Sequence, residues 1–270
     1  MDAAELNELV TLARTAAAQA AAFLLNERPE QLKIETKSTP TDVVSAMDRG
    51  AEHIIVQCIL DARPDDGLLG EEGAERSGTT GVRWVIDPLD GTVNYLYRLP
   101  HWGVAIGIES DGLAVAGVVN VPRLGLEYVG VAGAGAFCVE AGVRRTLSAS
   151  SVRSLGQALV GTGFNYDASV RERQARGIAE VIPIVRDIRR LGAGAVDLCL
   201  VADGMIDAYF EFGLHPWDLC AGSVIANEAG AVLCGVHGAP AGPQMVIASA
   251  PGIADELVAL VERSVEASQF

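Results

Sequence analysis

The sequence predicts an α/β fold in two lobes, and three observations lead to that prediction. The chain has 270 residues, of which 50% are hydrophobic, so it can bury a sizeable core. Apolar residues recur at helical spacing near the start, short β-rich runs follow, and strands then alternate with helices. No repeat or low-complexity linker interrupts the chain. We therefore expect residues 1–270 to form one domain, with an N-terminal lobe of about 1–150 and a C-terminal lobe of about 151–270.

The N-terminal lobe is predicted to combine two helices with an antiparallel meander. Leu6, Leu9, Val10 and Ala13 begin an amphipathic pattern that ends before Pro29. The elements expected first are a helix over 3–27, a short strand over 33–36, a helix from a cap at Thr41 or Asp42 to about Leu60, a turn at Pro64, a segment 67–70 that leads into Glu71, and a strand over 84–86. Short β-rich runs separated by Gly, Asp-Gly and Pro-Arg turns then predict meander strands over 101–109, 113–119, 127–131 and 136–139.

The C-terminal lobe is predicted to alternate strands with helices. Its expected elements are a strand over 156–163, an exposed helix over 169–181, a strand over 187–191, a buried helix over 195–203, a strand over 208–212, a second buried helix over 219–228, a strand over 245–248 and a final helix over 252–264.

The net charge of the chain limits the kinds of partner that it can be expected to bind. Its net charge is −15, from 35 acidic and 20 basic residues, so a nucleic-acid partner is not expected. An anionic substrate would be repelled at long range and would need local cations or a metal ion. Arg186, Arg189 and Arg190 form a basic cluster, which we interpret as a solvated face or a subunit contact.

Cysteine usage and the N-terminus indicate a cytoplasmic protein. The five cysteines are odd in number and form no C-x-x-C pair, so a disulfide scaffold and a zinc cluster are both disfavoured. No signal peptide is visible at the N-terminus. The best candidate for a membrane span, residues 195–202, is interrupted by Asp197 and followed by Asp203, so no membrane partner is expected.

The most informative segment is residues 84–95, Trp-Val-Ile-Asp-Pro-Leu-Asp-Gly-Thr-Val-Asn-Tyr. An apolar strand runs into Asp87 and Asp90, which stand three positions apart where the strand is rigid. Carboxylates at fixed spacing suit a hard divalent cation. The backbone amides of Gly91 and Thr92 would face an anion if they open a helix. The segment therefore predicts metal-dependent phosphate chemistry, although Asp-Pro-Leu-Asp-Gly alone is also typical of an ordinary tight turn.

Two further acids follow turns or strands elsewhere in the chain. Glu71 follows Gly70, and Asp218 follows Trp217. Clustered carboxylates repel each other unless they are protonated or share cations, and an all-oxygen set favours Mg²⁺ over zinc. Asp218 precedes a predicted helix, so it could alternatively be only an N-cap residue.

These segments, with their order and spacing, closely resemble the inositol monophosphatase family over nearly the whole chain. The matching runs are residues 37–48, Gly70-Glu71-Glu72, residues 84–94, and the stretch from Trp217-Asp218 through Glu228-Ala-Gly230. The resemblance implies a layered αβαβα sandwich, a homodimer, and a cytoplasmic, lithium-sensitive phosphatase that depends on Mg²⁺.

The resemblance also implies roles for individual residues. The expected ligands of two or three Mg²⁺ ions are Glu71, Asp87, the carbonyl of Leu89, Asp90 and Asp218. Glu71 and Thr92 match the pair that orients and deprotonates the attacking water, and Asp48 matches the acid that supports Thr92. The residues expected to meet the substrate are Asp90, Gly91 and Thr92 at the phosphate, and Gly192, Ala193, Gly194 and Glu211 at the alcohol.

The expected mechanism uses charge neutralisation and positioning rather than a covalent intermediate. Phosphate monoesters hydrolyse extremely slowly unaided, so most of the catalysis must come from those two effects. Metal ions would neutralise the phosphate and activate water, while Thr92 and Glu71 align the water opposite the leaving oxygen.

The sequence departs from the family pattern on the alcohol side. Ala193 stands where relatives often carry a hydroxyl residue, so one hydrogen bond to the alcohol is expected to be missing. Residues 161–166 differ in length and character from familiar members, and we expect them to frame the same pocket.

The leading substrate is inositol 1-phosphate, a small phosphorylated polyol. The alternatives within the fold are histidinol phosphate, fructose 1,6-bisphosphate and 3′-phosphoadenosine 5′-phosphate. The second phosphate of a bisphosphate would require additional cationic residues, of which the predicted pocket offers few. The amine of histidinol phosphate could pair with Glu211. A non-catalytic binding protein is the alternative from a different class, and it is disfavoured because Glu71, Asp87, Asp90, Thr92 and Asp218 are all present.

Overall fold

The computed structural model of the chain describes residues 1–31, 34–36 and 43–269. Its α-helices are α1 (Ala3–Asn26), α2 (Ala46–Ala62), α3 (Thr92–Leu96), α4 (Ala168–Val181), α5 (Gly194–Ala202), α6 (Pro216–Glu228) and α7 (Ala254–Ser268). Its strands are β1 (Ile34–Thr36), β2 (Val43–Ser45), β3 (Gly67–Gly70), β4 (Glu75–Arg76), β5 (Val82–Asp90), β6 (Gly103–Ser110), β7 (Leu113–Val121), β8 (Leu126–Val131), β9 (Gly135–Glu140), β10 (Val143–Thr146), β11 (Leu159–Thr162), β12 (Asp187–Arg189), β13 (Ala208–Glu211), β14 (Val232–Cys234) and β15 (Val246–Ser249).

The helices and sheets stack in five layers. Eight of the described strands form one sheet in the order β10-β9-β8-β7-β6-β5-β3-β4, which is antiparallel except where β3 runs parallel to β5. Five others form a second sheet in the order β12-β11-β13-β15-β14, with β11 parallel to both of its neighbours. Helices α1 and α2 cover the first sheet, α5 and α6 lie between the sheets, and α4 and α7 cover the second. The predicted αβαβα sandwich is confirmed.

Each junction between layers buries its own apolar cluster. The cluster under α1 and α2 includes Leu9, Ile55 and Trp84. The middle cluster joins α5 and α6 to both sheets, and the third lies between the small sheet and α4 with α7. Burying such side chains stabilises the fold by about 1.5–3 kcal/mol each before the entropy cost of ordering them. The division of the chain into two lobes near residues 145–155 stays a prediction.

Helix α1 begins where Asp2 accepts a hydrogen bond from the Glu5 amide at 2.9 Å. By length and composition alone it is apolar enough to cross a membrane, so the expectation that residues 195–202 are the best candidate for a membrane span is wrong. In this structure its inward face, with Leu9, Ala13 and Leu24, is buried in the core cluster that it shares with α2.

Helix α2 begins later than predicted, so the expected cap at Thr41 or Asp42 is wrong. Those two residues lie outside the described part of the chain, and Ser45 caps the helix instead. The Ser45 side chain accepts from the Met47 amide at 3.1 Å, while Asp48 accepts from the Ser45 amide at 2.8 Å. This reciprocal pair stabilises the helix start, and the residues before it pair with β1 as strand β2.

The other predicted elements are present, with small differences. The meander carries an additional strand, β10, whose side chains are all exposed and therefore show no apolar alternation. The short strands β4 and β14 were also not predicted. The predicted strand over 156–163 is shorter, because Leu155–Gln157 form a turn of 3₁₀ helix before β11. Helix α6 begins at Pro216, because proline is favourable in the first turn of a helix, and α7 continues to Ser268.

Candidate active site

A cavity of about 280 Å³ opens between the ends of the two sheets. One part of its lining comes from the first sheet and α3, and includes Glu71, Asp87, Asp90 and Thr92. The other part comes from residues 164–218, and includes the turn 192–194, Glu211 and Asp218. The structure thus brings the residues predicted from separate segments of the sequence into a single cavity.

The turn Asp87-Pro88-Leu89-Asp90 aims the two carboxylates into this cavity. Asp87 Oδ1 accepts the Leu89 amide at 3.0 Å, and the pairing of β5 with β6 shifts register between Asp87 and Asp90. Such an irregularity re-aims side chains at the end of a strand. Gly91 then adopts φ +88°, where an added Cβ would lie 3.0 Å from Ala193 Cβ. Glycine adopts this conformation without strain, and its lack of a side chain lets the backbone before Thr92 approach the turn 192–194 closely.

Asp87, Asp90 and Asp218 converge. One carboxylate oxygen of each lies within 4.8 Å of the others, and Asp87 and Asp90 are buried. The Asp87–Asp90 segment is indeed a tight turn, but an ordinary turn does not explain why Asp218 from a distant helix faces it. Asp218 is not an N-cap residue either, because it stands in the first turn of α6 and accepts the His215 amide at 2.7 Å.

This convergence changes the protonation of the acids. Burial, followed by the charges of Glu71 and its acidic neighbours, raises the pKa of Asp87 well above its usual range, and a hydrogen bond with Glu71 adds to the effect. Burial raises the pKa of Asp90 to about 7 and that of Asp218 well above its ordinary value. A raised pKa favours the protonated form of a carboxyl group, which carries no charge to repel its neighbours. A divalent cation would replace such protons and relieve the repulsion.

Asp90 also connects the two parts of the cavity. Its Oδ2 accepts the Val196 amide at 2.9 Å, at the N-terminus of helix α5. The positive end of the helix favours the ionised carboxylate there. One oxygen is therefore held by α5, which leaves the other for a ligand in the cavity.

Thr92 is held by an acid from a different helix. Its hydroxyl donates to Asp48 Oδ1 at 2.9 Å and lies 3.1 Å from the carbonyl oxygen of Leu89. The other oxygen of Asp48 accepts from the Ser45 amide at 2.8 Å and the Ser45 hydroxyl at 2.6 Å. Burial raises the pKa of Asp48, and the bonds from Ser45 and Thr92 oppose that rise. The structure thus places Asp48 where the family resemblance expects it, in direct contact with Thr92.

The predicted alcohol side surrounds Glu211. The Tyr209 hydroxyl donates to the Glu211 carboxylate, and a Cβ at Gly163 would collide with the same carboxylate at 1.8 Å. The turn 192–194 is fixed by Asn94, whose side-chain amide donates to His101 O at 2.6 Å and to Leu191 O at 2.7 Å. Of the segment 161–166, which was expected to frame the pocket, Phe164, Asn165 and Tyr166 line the cavity, whereas residues 161–163 do not.

Sequence reasoning missed three polar side chains that shape the alcohol side. Arg190 lines the cavity rather than serving only as part of a solvated face. Tyr209 orients Glu211, and Asp197 accepts a hydrogen bond from the Gly192 amide. Asp197 and Arg190 stand within five residues of Gly192, so the turn itself was the available signal.

A comparison with family models matches residues 5–266 to the inositol monophosphatase family. The chain belongs to this family. Its members are metal-dependent phosphatases that act on small phosphorylated substrates, so the chain is a phosphatase and a hydrolase. The resemblance inferred from the motifs is confirmed.

Curated relatives carry two kinds of name. The chain is 42% identical over 271 residues to the inositol-1-monophosphatase SuhB of Mycobacterium tuberculosis, covering 94% of this chain and 93% of that protein. It is 34% identical over 259 residues to the Nus factor SuhB of Pasteurella multocida, covering 94% and 95%. The solved structure of Mycobacterium tuberculosis SuhB superposes with a TM-score of 0.82 at 40% identity, covering 96% of this chain and 97% of that one.

Proposed function

We propose that this family member hydrolyses inositol 1-phosphate to inositol and phosphate in a Mg²⁺-dependent reaction. The observation that carries the proposal is the convergence of Asp87, Asp90 and Asp218 within 4.8 Å, in the cavity that Thr92 also lines. Metal-ligating acids and a hydroxyl held by a separate acid are the parts that water-mediated phosphate ester hydrolysis needs.

The donor set suits Mg²⁺. Every proposed ligand atom is an oxygen, from the carboxylates of Glu71, Asp87, Asp90 and Asp218 and the carbonyl of Leu89, and no cysteine or histidine belongs to the cluster found among the described residues. The buried acids have raised pKa values, as expected for groups that lack a compensating cation. We propose two or three bound ions, as the resemblance implies. When bound, Mg²⁺ would neutralise phosphate charge and make water a stronger nucleophile.

The protein side chains would orient the attacking water. The Thr92 hydroxyl donates its proton to Asp48, so the lone pairs of Thr92 Oγ1 remain to accept a hydrogen bond from water. Glu71 would accept the second proton of that water as the general base. The amides of Gly91 and Thr92, at the start of α3, would hold the phosphate opposite the water.

The alcohol would be held by the turn 192–194 and Glu211. Tyr209 fixes the Glu211 carboxylate as an acceptor for substrate hydroxyl groups. A second phosphate would meet Glu211 and the other acids of the cavity, where Arg190 is the one arginine or lysine among the described lining residues, and this excess of acids argues against fructose 1,6-bisphosphate and 3′-phosphoadenosine 5′-phosphate. An amine would be attracted to Glu211, so histidinol phosphate is the alternative that the site favours next.

We further propose a cytoplasmic homodimer that has no nucleic-acid or membrane partner and is inhibited by lithium. The dimer and the lithium sensitivity rest on the family resemblance, and the absence of a nucleic-acid partner rests on the net charge of −15. The Pasteurella multocida relative is named a Nus factor, so the same preparation should be tested for a nucleic-acid complex at low salt.

The experiment that tests the proposed reaction is phosphate release from four esters with Mg²⁺, each with and without chelator. The esters are inositol 1-phosphate, histidinol phosphate, fructose 1,6-bisphosphate and 3′-phosphoadenosine 5′-phosphate. Preference for inositol 1-phosphate that chelator abolishes is the expected result. Preference for another ester would overturn the substrate, and turnover unaffected by chelator would overturn the metal mechanism.

A further inference from the structure

Arg190 is a cation in a cavity that otherwise carries many acids. Among the described residues that line the cavity it is the one arginine or lysine, beside the five acids Glu71, Asp87, Asp90, Glu211 and Asp218. Its guanidinium lies against the turn 192–194, where an added Cβ on Gly192 would be 2.2 Å from Arg190 Nη1. The lack of a side chain at Gly192 leaves this position to the guanidinium.

The fold does not use this charge in an ion pair. Neighbouring Arg189 pairs with Asp187 at 2.6 Å, and Arg145 pairs with Asp203. Within residues 1–31, 34–36 and 43–269, no carboxylate lies at salt-bridge distance from Arg190. The N–H groups of its guanidinium thus remain available to a ligand in the cavity.

Arg190 also acts electrostatically on Glu211. Burial raises the pKa of Glu211, and the hydrogen bond from Tyr209 and the positive charge of Arg190 both oppose that rise. On balance the pKa of Glu211 stays above its ordinary value. Its carboxyl group still offers an acceptor oxygen, whereas Arg190 can act only as a donor.

We infer that Arg190 and Glu211 form a donor–acceptor pair that selects phosphate esters of polyhydroxylated alcohols, with Arg190 as a specificity-determining residue. A hydroxyl group is both donor and acceptor, so a polyol can donate to Glu211 through one hydroxyl and accept from Arg190 through another. An alcohol part that carries no further polar group, such as the phenyl group of phenyl phosphate, leaves both charged groups unpaired. Binding sites built for hydroxyl groups reject analogues that lack them for this reason.

This inference rests on the proposed phosphatase reaction but not on inositol as the alcohol. The test measures kcat and KM for inositol 1-phosphate, the other three esters and phenyl phosphate, which has no hydroxyl on its alcohol part. The quantity compared is kcat/KM for the hydroxylated ester that the wild type prefers, divided by kcat/KM for phenyl phosphate. The variants are Arg190→Ala and Arg190→Lys, and the matched control is Arg189→Ala, which removes the same charge from the adjacent residue.

Arg190→Ala is expected to lower the ratio roughly 10- to 100-fold, mainly through KM of the hydroxylated ester, because a hydrogen bond from a charged donor is lost. Arg190→Lys should restore part of the ratio, and Arg189→Ala should leave it unchanged. An equal loss on both esters, or no loss on either, would overturn the inference while leaving the proposed reaction in place. A wild type without turnover on any of the esters would instead overturn the proposed reaction, and the selection with it.

Discussion

At the scale of single residues, Asp90 has two tasks: it accepts a hydrogen bond at the start of α5, and it belongs to the acidic cluster. Its Oδ2 accepts the Val196 amide at 2.9 Å, and its carboxylate also belongs to the acidic cluster with Asp87 and Asp218. These two tasks can be separated by a substitution that retains an acceptor for the amide and removes the charge.

Asp90→Asn is therefore expected to abolish turnover while leaving the fold intact. The asparagine carbonyl can still accept the Val196 amide, but the neutral side chain is a poor metal ligand. Phosphate release with saturating Mg²⁺ should fall by at least 10²-fold, and far-ultraviolet circular dichroism should match that of the wild type. Near-normal Mg²⁺-dependent activity of the variant would contradict the assignment of the site.

The Thr92 hydroxyl gives a second prediction at this scale. Thr92→Val removes the oxygen that contacts Asp48, whereas Thr92→Ser keeps it and serves as the matched control. We expect kcat to fall by 10²-fold or more in the valine variant and by less than 10-fold in the serine variant, because positioning of a nucleophile typically contributes effects of that size. Equal losses in the two variants would show that the methyl group, rather than the hydroxyl, matters.

Site residues could be predicted from the sequence where they stand next to one another in the chain. Asp87, Asp90, Gly91 and Thr92 stand in one run, so their spacing alone predicts a site. Arg190 and Asp197 contact Gly192, and Tyr209 contacts Glu211, within a few residues along the chain. Their place beside the cavity depends on how distant elements pack against the turn 192–194, and no local pattern reports that packing. The roles assigned to the site residues stay predictions until they are measured.

At the scale of elements, helix α4 holds one wall of the cavity from outside. The Asn165 amide donates to Gln174 Oε1 at 2.9 Å, and Arg171 Nη1 donates to the Asn165 carbonyl at 2.9 Å. Both polar groups of the Asn165 backbone are thus fixed by side chains of α4, and Gln174 itself is buried. This pair of contacts orders a segment that would otherwise be a free loop between β11 and α4.

Gln174→Ala is expected to raise KM for the polyol ester several-fold with little change in kcat. The substitution leaves the half-buried Asn165 amide without its acceptor and loosens the wall, but it touches neither the acidic cluster nor Thr92. The associated stability loss is about 1 kcal/mol, the typical net contribution of one hydrogen bond. Steady-state kinetics and hydrogen exchange of residues 164–167 measure the two effects.

The matched control on the same helix is Arg176→Ala, because Arg176 pairs with Glu172 on an exposed surface at 2.9 Å. It should change neither KM nor the exchange rates. A fall in kcat at constant KM in Gln174→Ala would show that α4 acts on the chemical step rather than on the pocket wall.

Most helices and strands could be predicted because the spacing of apolar residues shows which face of each element is buried. The long helix α1 and the meander follow clear patterns of 3.6 and 2 residues. The start of α2 could not be placed in the same way, since Thr41, Asp42 and Ser45 are all good caps. Ser45 is the cap because β2 pairs with β1 and because Ser45 and Asp48 exchange hydrogen bonds. Neither contact can be read from the local sequence pattern.

At the scale of the whole molecule, the site gathers buried acids from both sheets and the helices between them. In the metal-free protein the pKa values of Asp87, Asp90 and Asp218 all lie above their ordinary values, mainly because of burial. The folded chain consequently binds more protons than the unfolded chain at pH values between about 4 and about 7. Its free energy of unfolding must then decrease as the pH rises through that window.

The metal-free protein is therefore expected to be less stable at pH 8 than at pH 5.5, and Mg²⁺ should reverse the difference. Asp90 alone, with its pKa raised from 3.8 to about 7, corresponds to a loss on the order of 4 kcal/mol across the whole window, of which about 2 kcal/mol falls between pH 5.5 and pH 8. Mg²⁺ binds the ionised carboxylates, so it should raise Tm more at pH 8 than at pH 5.5. Thermal unfolding at both pH values, with chelator and with saturating Mg²⁺, measures this, and Asp90→Asn should reduce both effects. If the chelated wild type instead became more stable with rising pH, the acids would not be protonated in the folded chain, and the electrostatic reason for a metal at this site would fail.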